Sequence, residues 1–472
     1  MGSGQVTDWQ GKNVTVAGLG VSGVPAAKVL HGLGAKVTVV NDGDDARARE
    51  QAAQLEALGV TVRLGDGDTL PDGTELIVTA PGWKPDKPLF AAADAAGVPV
   101  WGDVELAWRL RKPGAAPWLA VTGTNGKTTT VQMLAAILEA AGLRTAAVGN
   151  IGVSLLDAVL GEEEYDVLAV ELSSYQLHWA PSLRAHSAAV LNLAPDHLDW
   201  HGSMEAYARD KGRVYEGNRV ACVYNVADKA TEDLVREADV EEGCRAVGFT
   251  LGTPGPSQLG VVEGLLVDRA FVENRHKNAQ ELAEVSDVRP PAPHNIANAL
   301  AAAALARAYG VPASAVRDGL RAFTPDAHRI AHVADVDGVA YVDDSKATNT
   351  HAAGASLAAY ESIVWIAGGL AKGATFDELV ADAAKRLRGA VLIGRDRALI
   401  REALARHAPE VPVVDLERTD TGAMLQAVQE ARRLAQPGDT VLLAPACASM
   451  DMFTNYNKRG DAFAQAVREL GA

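Results

Sequence analysis

Short runs of β-branched and aliphatic residues recur along the chain, and most are followed by a glycine-containing turn and an alanine-rich helical stretch. In the first hundred residues the apolar runs lie at 13–17, 36–40 and 76–79, and a helix is predicted at 24–31. Strands that alternate with helices are typical of a parallel sheet. The pattern therefore predicts a first α/β domain that ends near residue 112.

A second block follows a stretch rich in proline, glycine and alanine at 111–117, which is typical of a linker. Its predicted elements are strands at 118–121, 167–170 and 188–191 and helices at 296–309 and 313–322. The alanine run in the first of these helices has a high helix propensity. Residues 250–293 are polar and rich in glycine and proline, so we expect an inserted β excursion with loops there.

A third block repeats the alternation of strands and helices. Its predicted strands lie at 339–342, 363–367, 391–393, 411–414 and 441–443. The whole chain is therefore predicted to be an α/β protein of three domains, with the boundaries 1–112, 113–325 and 326–472. The first and last domains are expected to be Rossmann-like, and the central one a P-loop ATPase domain on a mostly parallel sheet.

Composition and charge narrow the class of protein. The 472 residues are 48% hydrophobic and 22% charged, with a formal net charge of −16. This negative charge argues against nucleic acid and anionic membrane surfaces as partners. Cys222, Cys244 and Cys447 form no CxxC pair, which argues against a disulfide framework or a zinc ribbon. No signal peptide or membrane-spanning run is recognised, so we expect a cytoplasmic enzyme without stable membrane insertion.

The strongest candidate for chemistry is a loop between a predicted strand and a predicted helix. It consists of Gly123, Thr124, Asn125, Gly126, Lys127, Thr128 and Thr129. Its glycines let backbone N–H groups converge on phosphate oxygens, Lys127 is placed to reach the outer phosphates, and the Thr128 hydroxyl suits Mg²⁺. A strict Walker A motif has a glycine where this chain has Val121, so the loop is a shortened variant.

A second glycine-rich turn, from Gly18 to Gly23, has the pattern G-x-G-x-x-G directly after the first strand. Alone it would suggest a nicotinamide dinucleotide, but such turns hold other phosphates equally well. Asp42 ends the next strand, where a carboxylate can accept a hydrogen bond from a ribose or a base. A plain tight turn with a solvated aspartate explains the same residues, and both interpretations stay open.

Two polar side chains follow neighbouring apolar strands of the second block. Glu171 ends one strand and His197 lies just past the next. The carboxyl ends of parallel strands share one edge of a sheet, so both residues are expected on the rim that carries the phosphate loop. A carboxylate suits Mg²⁺, and a histidine makes a second metal site plausible. Asn150 sits in a further glycine-flanked turn of this block.

Two predicted strand-to-helix turns of the third block carry the sequences VDDSKATN, at 342–349, and PACASMDMF, at 445–453. Such turns present side chains to a ligand at the edge of a parallel sheet. Ser449 and Cys447 have the chemistry of nucleophiles, but no histidine follows in a triad-like context, which argues against that role.

Together these segments resemble the Mur ligases of peptidoglycan synthesis over nearly the whole chain, apart from residues 250–293. The phosphate loop and the ELSS, NLxxDHxD and HNxxN segments mark the wider family, and DDSKATN and ACASxDxF resemble its D-glutamate-adding branch. The resemblance implies ATP-dependent ligation of D-glutamate to UDP-N-acetylmuramoyl-L-alanine through an acyl phosphate and a tetrahedral intermediate. It also implies a monomer that uses Mg²⁺ and acts only on small-molecule substrates.

The resemblance assigns expected roles to individual residues. The UDP substrate would be held by Gly20, Val21, Ser22, Asp42, Asn150 and Ser173. ATP would be held by the phosphate loop, Gly123 to Thr129, and by Asn295, Asn298, Arg329 and Asp344. Two Mg²⁺ ions would be bound by Thr128, Glu171, His197 and an N-carboxylated (carbamylated) Lys211. D-Glutamate would be held by Lys346, Thr348, Lys372, Ser449 and Tyr456, and catalysis would fall to Lys127, Lys211, His197, Glu171 and Lys372.

Two positions depart from the family pattern. Tyr456 replaces an aromatic residue without a hydroxyl, and Gly43 stands where a hydroxyl residue would help to bind uracil.

Three other functions fit parts of the chain. A folylpolyglutamate synthetase-like ligase is disfavoured by the DDSKATN segment and the separate first domain. A non-catalytic nucleotide-binding regulator is disfavoured by the presence of Lys127, Glu171 and Lys211. A nicotinamide oxidoreductase would leave the phosphate loop without a role.

Overall fold

The computed structural model describes residues 8–418 and 420–470. The chain forms two compact units. The first runs to Val288 and takes in Ile296–Phe323, and the second comprises Arg289–Asn295 and the chain from Thr324 onward. Three sheets, most of whose strands are parallel, confirm the predicted α/β class. None of the helices in the described ranges combines the length and the hydropathy needed to cross a bilayer.

The first sheet has five parallel strands in the order β3-β2-β1-β4-β5. Its elements are β1 (Asn13–Ala17), α1 (Gly23–Gly32), β2 (Lys36–Asn41), α2 (Ala46–Glu56), β3 (Thr61–Leu64), β4 (Leu76–Thr79), α3 (Pro88–Ala95), β5 (Val100–Gly102) and α4 (Asp103–Leu110). The three strands predicted from the apolar runs are confirmed as its centre. The edge strands β3 and β5 have no counterpart in the pattern, because one alternates exposed and half-buried residues and the other has 3 residues.

The central sheet has nine strands in the order β14-β13-β12-β11-β10-β9-β6-β8-β7. Its strands are β6 (Trp118–Thr122), β7 (Ala147–Gly149), β8 (Leu168–Glu171), β9 (Ser187–Val190), β10 (Ala221–Asn225), β11 (Arg245–Phe249), β12 (Gln258–Val262), β13 (Leu265–Asp268) and β14 (Gln280–Glu284). Pairing is parallel from β7 to β12, whereas β12, β13 and β14 run antiparallel. The β excursion predicted at 250–293 is therefore confirmed.

The helices of the central sheet fix the position of the phosphate loop. They are α5 (Lys127–Ala140), α6 (Leu155–Leu160), α7 (Ser174–His178), α8 (Leu198–His201), α9 (Met204–Gly212), α10 (Lys229–Glu237), α11 (Pro293–Ala308) and α12 (Ala313–Ala322). A Cβ atom on Gly319 would stand 2.4 Å from the Cα of Ile137, so glycine is what lets α12 pack this closely against α5. The buried alanine run of α11 completes the same core.

The first two sheets share one apolar core. Trp108 on α4 packs edge-to-face against Trp118 on β6, with the ring centroids 5.0 Å apart. The cluster of buried residues around them takes in both sheets. Residues 111–117, predicted to be a linker, contain no helix or strand.

The third sheet has six strands in the order β15-β16-β20-β17-β18-β19, and only β15 is antiparallel to its neighbour. Its elements are β15 (Ala331–Val336), β16 (Val339–Asp343), α13 (Thr350–Leu357), β17 (Ile363–Gly368), α14 (Asp377–Ala383), β18 (Leu387–Ile393), α15 (Arg397–His407), β19 (Val413–Asp415), α16 (Ala423–Leu434), β20 (Thr440–Leu443) and α17 (Tyr456–Leu470). The strand predicted at 411–414 begins two residues later than expected.

Candidate active site

The phosphate loop is held by the chain that follows β9. The backbone N–H groups of Thr124 and Asn125 donate to the carbonyl and side-chain oxygens of Asn192, at 3.0 and 2.9 Å, and Asn192 Nδ2 donates back to the Asn125 carbonyl at 3.1 Å. Thr124 Oγ1 also lies 3.0 Å from the Tyr207 hydroxyl. Sequence reasoning missed Asn192 as a site residue, although its place just past a strand of the predicted rim was a usable signal.

Lys127 begins α5 and folds back across the loop. Its Nζ donates to the carbonyl oxygens of Gly123, at 2.8 Å, and Thr124, at 3.0 Å. Gly126 precedes it with φ 84°, and a Cβ atom there would stand 2.4 Å from Asn298 Oδ1. The backbone conformation and the close approach of Asn298 both require glycine. The ammonium group therefore lies at the positive end of α5, where an anion is favoured.

Glu171 ends β8 beside this loop and is 1% exposed. Asn150 binds it twice, with its backbone N–H donating to the Glu171 carbonyl at 3.0 Å and its Nδ2 to Oε1 at 2.9 Å. The second carboxyl oxygen, Oε2, is buried and has no hydrogen-bond partner. A buried oxygen of this kind is costly unless a donor or a cation fills the place beside it.

Lys211 reaches the phosphate loop from α9 and is 2% exposed. Its Nζ donates to the Gly123 carbonyl at 2.9 Å and lies 4.7 Å from the ring centroid of Tyr207. Burial and the nearby charge of Lys127 hold the pKa of Lys211 well below its usual range. Both effects shift the balance toward the neutral amine relative to a lysine in water.

His197 is the N-cap of α8, in the left-handed region with φ 54°. Its ring centroid lies 4.9 Å from that of Tyr175. Burial lowers the pKa of His197, and the charges of Lys211 and Lys127 lower it further. The structure thus brings Lys127, Glu171, His197 and Lys211 into one electrostatic neighbourhood. In the part of the chain that the structure describes, no three His, Cys, Asp or Glu side chains converge as a ready-made metal cluster.

The glycine-rich turn of the first sheet is tight. A Cβ atom on Gly23 would stand 1.9 Å from the Gly18 carbonyl oxygen. Val21 is 85% exposed at the tip of the turn, and the Ser22 hydroxyl donates to Asp103 at 2.8 Å. Asp103 is a further polar residue of this edge that sequence reasoning missed. A Cβ atom built on Gly20, in the same turn, would have no heavy atom within 4 Å.

Asp42 and Ser173 are engaged with protein groups. Asp42 forms an ion pair with Lys87 at 2.9 Å, and its side chain remains 60% exposed. Ser173 caps α7 through a reciprocal capping box with Gln176. Capping fixes the Ser173 side chain at the amino end of that helix.

In the second unit, three loops converge at the carboxyl ends of the sheet. The Ala446 N–H donates to the Ala347 carbonyl at 2.9 Å, which joins the loop of Lys346 and Thr348 to the loop of Ser449. Leu370, two residues before the exposed Lys372, forms an isolated bridge with Ala448. The Lys346 ammonium lies 4.1 Å from the ring centroid of Tyr456. The structure therefore brings together the five residues predicted to hold D-glutamate, which are Lys346, Thr348, Lys372, Ser449 and Tyr456.

Arg459 on α17 ties two of these loops together, and sequence reasoning missed it. The guanidinium group is 1% exposed and donates to Ser345 Oγ at 3.0 Å, to the Ser345 carbonyl at 2.8 Å and to the Cys447 carbonyl at 3.0 Å. Burial lowers the pKa of Arg459 to about 10. A cation fixed by three neutral acceptors keeps positive charge close to the predicted dicarboxylate site.

The remaining residues predicted to bind ATP lie in both units. Asn298 is in the first unit, against the phosphate loop, whereas Asn295 belongs to the second unit, where its Nδ2 donates to the Pro290 carbonyl at 3.3 Å. Asp344 is buried and hydrogen-bonded to Ser356. Burial raises the pKa of Asp344 to about 6, although the charge of Arg329 opposes this.

His328 supports the same sheet and gives a pH-dependent prediction. Its Nδ1 lies 2.6 Å from Asp343, and this hydrogen bond raises the pKa of His328 above its usual 6.5. The pair therefore stabilises the fold fully below about pH 6.5 and loses that effect as the pH rises through the folded-state pKa. We expect His328→Gln to lower the melting temperature more at about pH 6 than at about pH 9. Equal losses, or a matching pH dependence in the exposed His276→Gln control, would contradict this assignment.

Comparisons with known families match three separate parts of the chain. Residues 121–306 match the Mur ligase middle domain, 328–447 the Mur ligase glutamate ligase domain, and 13–67 the pyridine nucleotide-disulphide oxidoreductases. A Streptomyces coelicolor protein named UDP-N-acetylmuramoylalanine–D-glutamate ligase is 90% identical over 99% of this chain and 100% of its own length. The Thermobifida fusca protein of the same name is 61% identical over 98% of this chain and 99% of its own length.

Solved structures share the fold. The UDP-N-acetylmuramate–alanine ligase of Thermotoga maritima has a TM-score of 0.56 and 18% identity, and the match covers 97% of this chain and 99% of the other. The MurF protein of Acinetobacter baumannii has a TM-score of 0.58 and 17% identity, with 97% and 91% covered. Escherichia coli FolC, in complex with DHPP and ADP, has a TM-score of 0.53 and 18% identity, with 78% and 92% covered.

Proposed function

Because this chain belongs to the family of the UDP-N-acetylmuramoylalanine–D-glutamate ligases, we propose that it joins D-glutamate to UDP-N-acetylmuramoyl-L-alanine at the expense of ATP, in peptidoglycan synthesis. The observation that carries the proposal is the phosphate loop with Lys127 and Lys211 folded onto it, next to the partnerless oxygen of Glu171. Such a site suits the transfer of a phosphoryl group rather than of a hydride.

The reaction needs two transfers. A substrate carboxylate oxygen attacks the γ-phosphorus of ATP, and ADP leaves. The glutamate ammonium group loses a proton to solvent, and its nitrogen then attacks the acyl carbon. The tetrahedral intermediate expels phosphate, and the nitrogen loses a second proton as the amide forms. Phosphorylation supplies the leaving group that a bare carboxylate lacks, and Lys127 offsets the charge on the phosphate oxygens.

Thr128, Glu171 and His197 fit the binding of Mg²⁺, and we propose two ions at this rim. The fit rests first on the buried Oε2 of Glu171, to which no hydrogen-bond donor is directed. It rests also on the hydroxyl, carboxylate and imidazole groups, which can act as metal ligands. Bound Mg²⁺ would neutralise phosphate charge during transfer. Asn150 holds Glu171 in place through Oε1 and leaves Oε2 for the cation.

Lys211 is proposed to be N-carboxylated. Its amine is buried beside the phosphate loop, where a cation would repel both Lys127 and Mg²⁺. A neutral amine adds to CO₂ with loss of a proton, which replaces a potential cation by an anionic oxygen ligand. The carbamate would thus add negative charge to the donor set of Glu171 and His197.

The remaining predicted substrate contacts involve mainly the first and third sheets. We propose that the turn of Gly20, Val21, Ser22 and Asp42 binds the UDP part of the substrate together with Asn150 and Ser173. The loops of Lys346, Thr348, Lys372, Ser449 and Tyr456 would hold D-glutamate, because they carry two lysines and Arg459 fixes two of the loops, which suits a dicarboxylate. Asn295, Asn298, Arg329 and Asp344 would complete the ATP site. We further propose a monomer in the cytoplasm.

Phosphate release tests the proposed function. Purified protein is incubated with ATP, Mg²⁺ and UDP-N-acetylmuramoyl-L-alanine, together with a panel of D- and L-amino acids. We expect release with D-glutamate and none above background with L-glutamate or with a folate in place of the UDP substrate. Phosphate release with L-glutamate at the rate seen for D-glutamate would contradict the proposal. So would phosphate release when a folate replaces the UDP substrate.

A further inference from the structure

A buried carboxylate with no part in the proposed steps lies behind Lys211. Asp210 is 5% exposed and precedes Lys211 on α9. Its oxygens lie 2.9 and 3.0 Å from His178 Nδ1, and Oδ2 lies 2.9 Å from His201 Nδ1. Arg213 adds an ion pair at 3.3 Å. Asp210 therefore joins two histidines from other helices and Arg213 from the end of its own helix.

The two histidines end the two short helices of the site. His178 is the last residue of α7, which has 5 residues, and His201 is the last residue of α8, which has 4. The N-caps of the same helices are Ser173 and His197, both proposed site residues. Helices this short do not hold their shape alone, so their carboxyl ends need an external anchor.

The same helix, α9, carries the residues that touch the phosphate loop. Tyr207 and Lys211 are one turn apart, and they contact Thr124 at 3.0 Å and the Gly123 carbonyl at 2.9 Å. Residues four apart lie on the same side of a helix, and Asp210, about 100° around the helix from Lys211, contacts the carboxyl ends of α7 and α8 instead of the loop. The contacts of Asp210 thus set the rotation of α9 that brings the Lys211 Nζ to the loop.

Both ring nitrogens of His201 are engaged. Its Nε2 lies 3.0 Å from the Ser174 hydroxyl, and its ring is stacked on Tyr175, with the centroids 5.5 Å apart and the planes at 16°. Tyr175 in turn contacts the His197 ring at 4.9 Å. Asp210 is therefore linked to His197 in two ways. One is helix α8, and the other is the packing of His201 on Tyr175 and of Tyr175 on His197.

We propose that Asp210 is a positioning residue that holds Ser173, His197 and Lys211 in register around the ATP phosphates and Mg²⁺, an inference that rests on the proposed function. Its carboxylate contacts His178, His201 and Arg213 rather than the phosphate loop. Its effect is exerted through α7, α8 and α9, each of which carries one of these site residues.

Asp210→Asn is the test, because asparagine keeps the size and one acceptor oxygen but removes the charge that faces two histidines. We expect kcat to fall about 10- to 100-fold, which is the usual cost of removing a residue that orients metal ligands. The Mg²⁺ concentration for half-maximal activity should rise about 5-fold or more, while the KM for D-glutamate stays within about 2-fold. Glu205→Gln, an exposed acidic residue on the same helix, is the matched control and should behave as wild type.

Circular dichroism and thermal unfolding are measured on every variant. If Asp210→Asn is not folded at the assay temperature, His178→Gln replaces it, since that side chain is 24% exposed and its loss leaves the core intact. We expect His178→Gln to move kcat and the Mg²⁺ requirement in the same direction by a smaller factor.

Two results would overturn the inference. One is an unchanged kcat and Mg²⁺ requirement in a folded variant. The other is a loss of activity that matches the unfolded fraction while the Mg²⁺ requirement stays the same. A wild-type chain that releases no phosphate with D-glutamate would overturn the proposed function instead, before any variant is compared.

Discussion

Lys127→Ala is expected to reduce ATP-dependent phosphate release by at least about 10³-fold, at the upper end of what one electrostatic contact in an enzyme contributes. Lys127 is the loop cation at the start of α5, and its Nζ lies across the Gly123 and Thr124 carbonyl oxygens. In phosphoryl transfer the protein acts mainly by positioning and charge neutralisation, so losing this cation removes much of the available catalysis. The measurement is phosphate release at saturating ATP, UDP substrate and D-glutamate.

Two controls make the Lys127 result specific. Lys229→Ala removes a lysine whose side chain is 77% exposed at the start of another helix of the same unit, and it should leave the rate unchanged. Thermal unfolding should show that Lys127→Ala is folded. A folded Lys127→Ala protein with normal turnover would show that the loop is not the ATP site.

Lys211→Ala is expected to lose about 10²-fold or more in kcat, with little recovery at saturating Mg²⁺. If Lys211 is N-carboxylated, alanine removes an anionic ligand from the same neighbourhood as Glu171 and His197. Lys211→Arg should not restore the rate, because a guanidinium cannot form a carbamate under these conditions and would repel the cation.

A direct signal distinguishes the carbamate from a bare lysine. Protein equilibrated with ¹³C-bicarbonate should show one carbamate carbon resonance, which is absent in Lys211→Ala. The alanine variant also tests packing, since it opens space beside Tyr207, and its melting temperature reports that cost separately. A wild-type rate for Lys211→Ala at saturating Mg²⁺ would remove Lys211 from the metal site.

Agreement between the sequence pattern and the structure is best where strands are buried on both faces. β1, β4 and β6 are buried along nearly their whole length, and all three lie within the sheets rather than at their edges. Strands with partly exposed or short runs escaped the pattern, as β3 and β5 show. Edge strands need fewer apolar residues, so periodicity marks them weakly.

The residues of the candidate site also differ in how far the sequence alone predicts them. The glycine-rich loop and Lys127 were recognisable because strand, turn and helix follow one another within a few residues. Asn192 and Asp103 were not recognisable as partners of Asn125 and Ser22. They lie 67 and 81 positions away in the chain, and an isolated polar residue has no local pattern that marks its partner.

Local residue patterns therefore determined the α/β class, the parallel core strands and the loop that suits phosphates, because these depend on neighbours along the chain. Tertiary structure alone decided which side chains meet: Lys211 over Gly123, Asn150 on Glu171, and Asp210 between His178 and His201. The physical reason is the order of the sheet, in which β6 lies between β8 and β9. That order follows from the packing of the whole core, which no short stretch of sequence encodes.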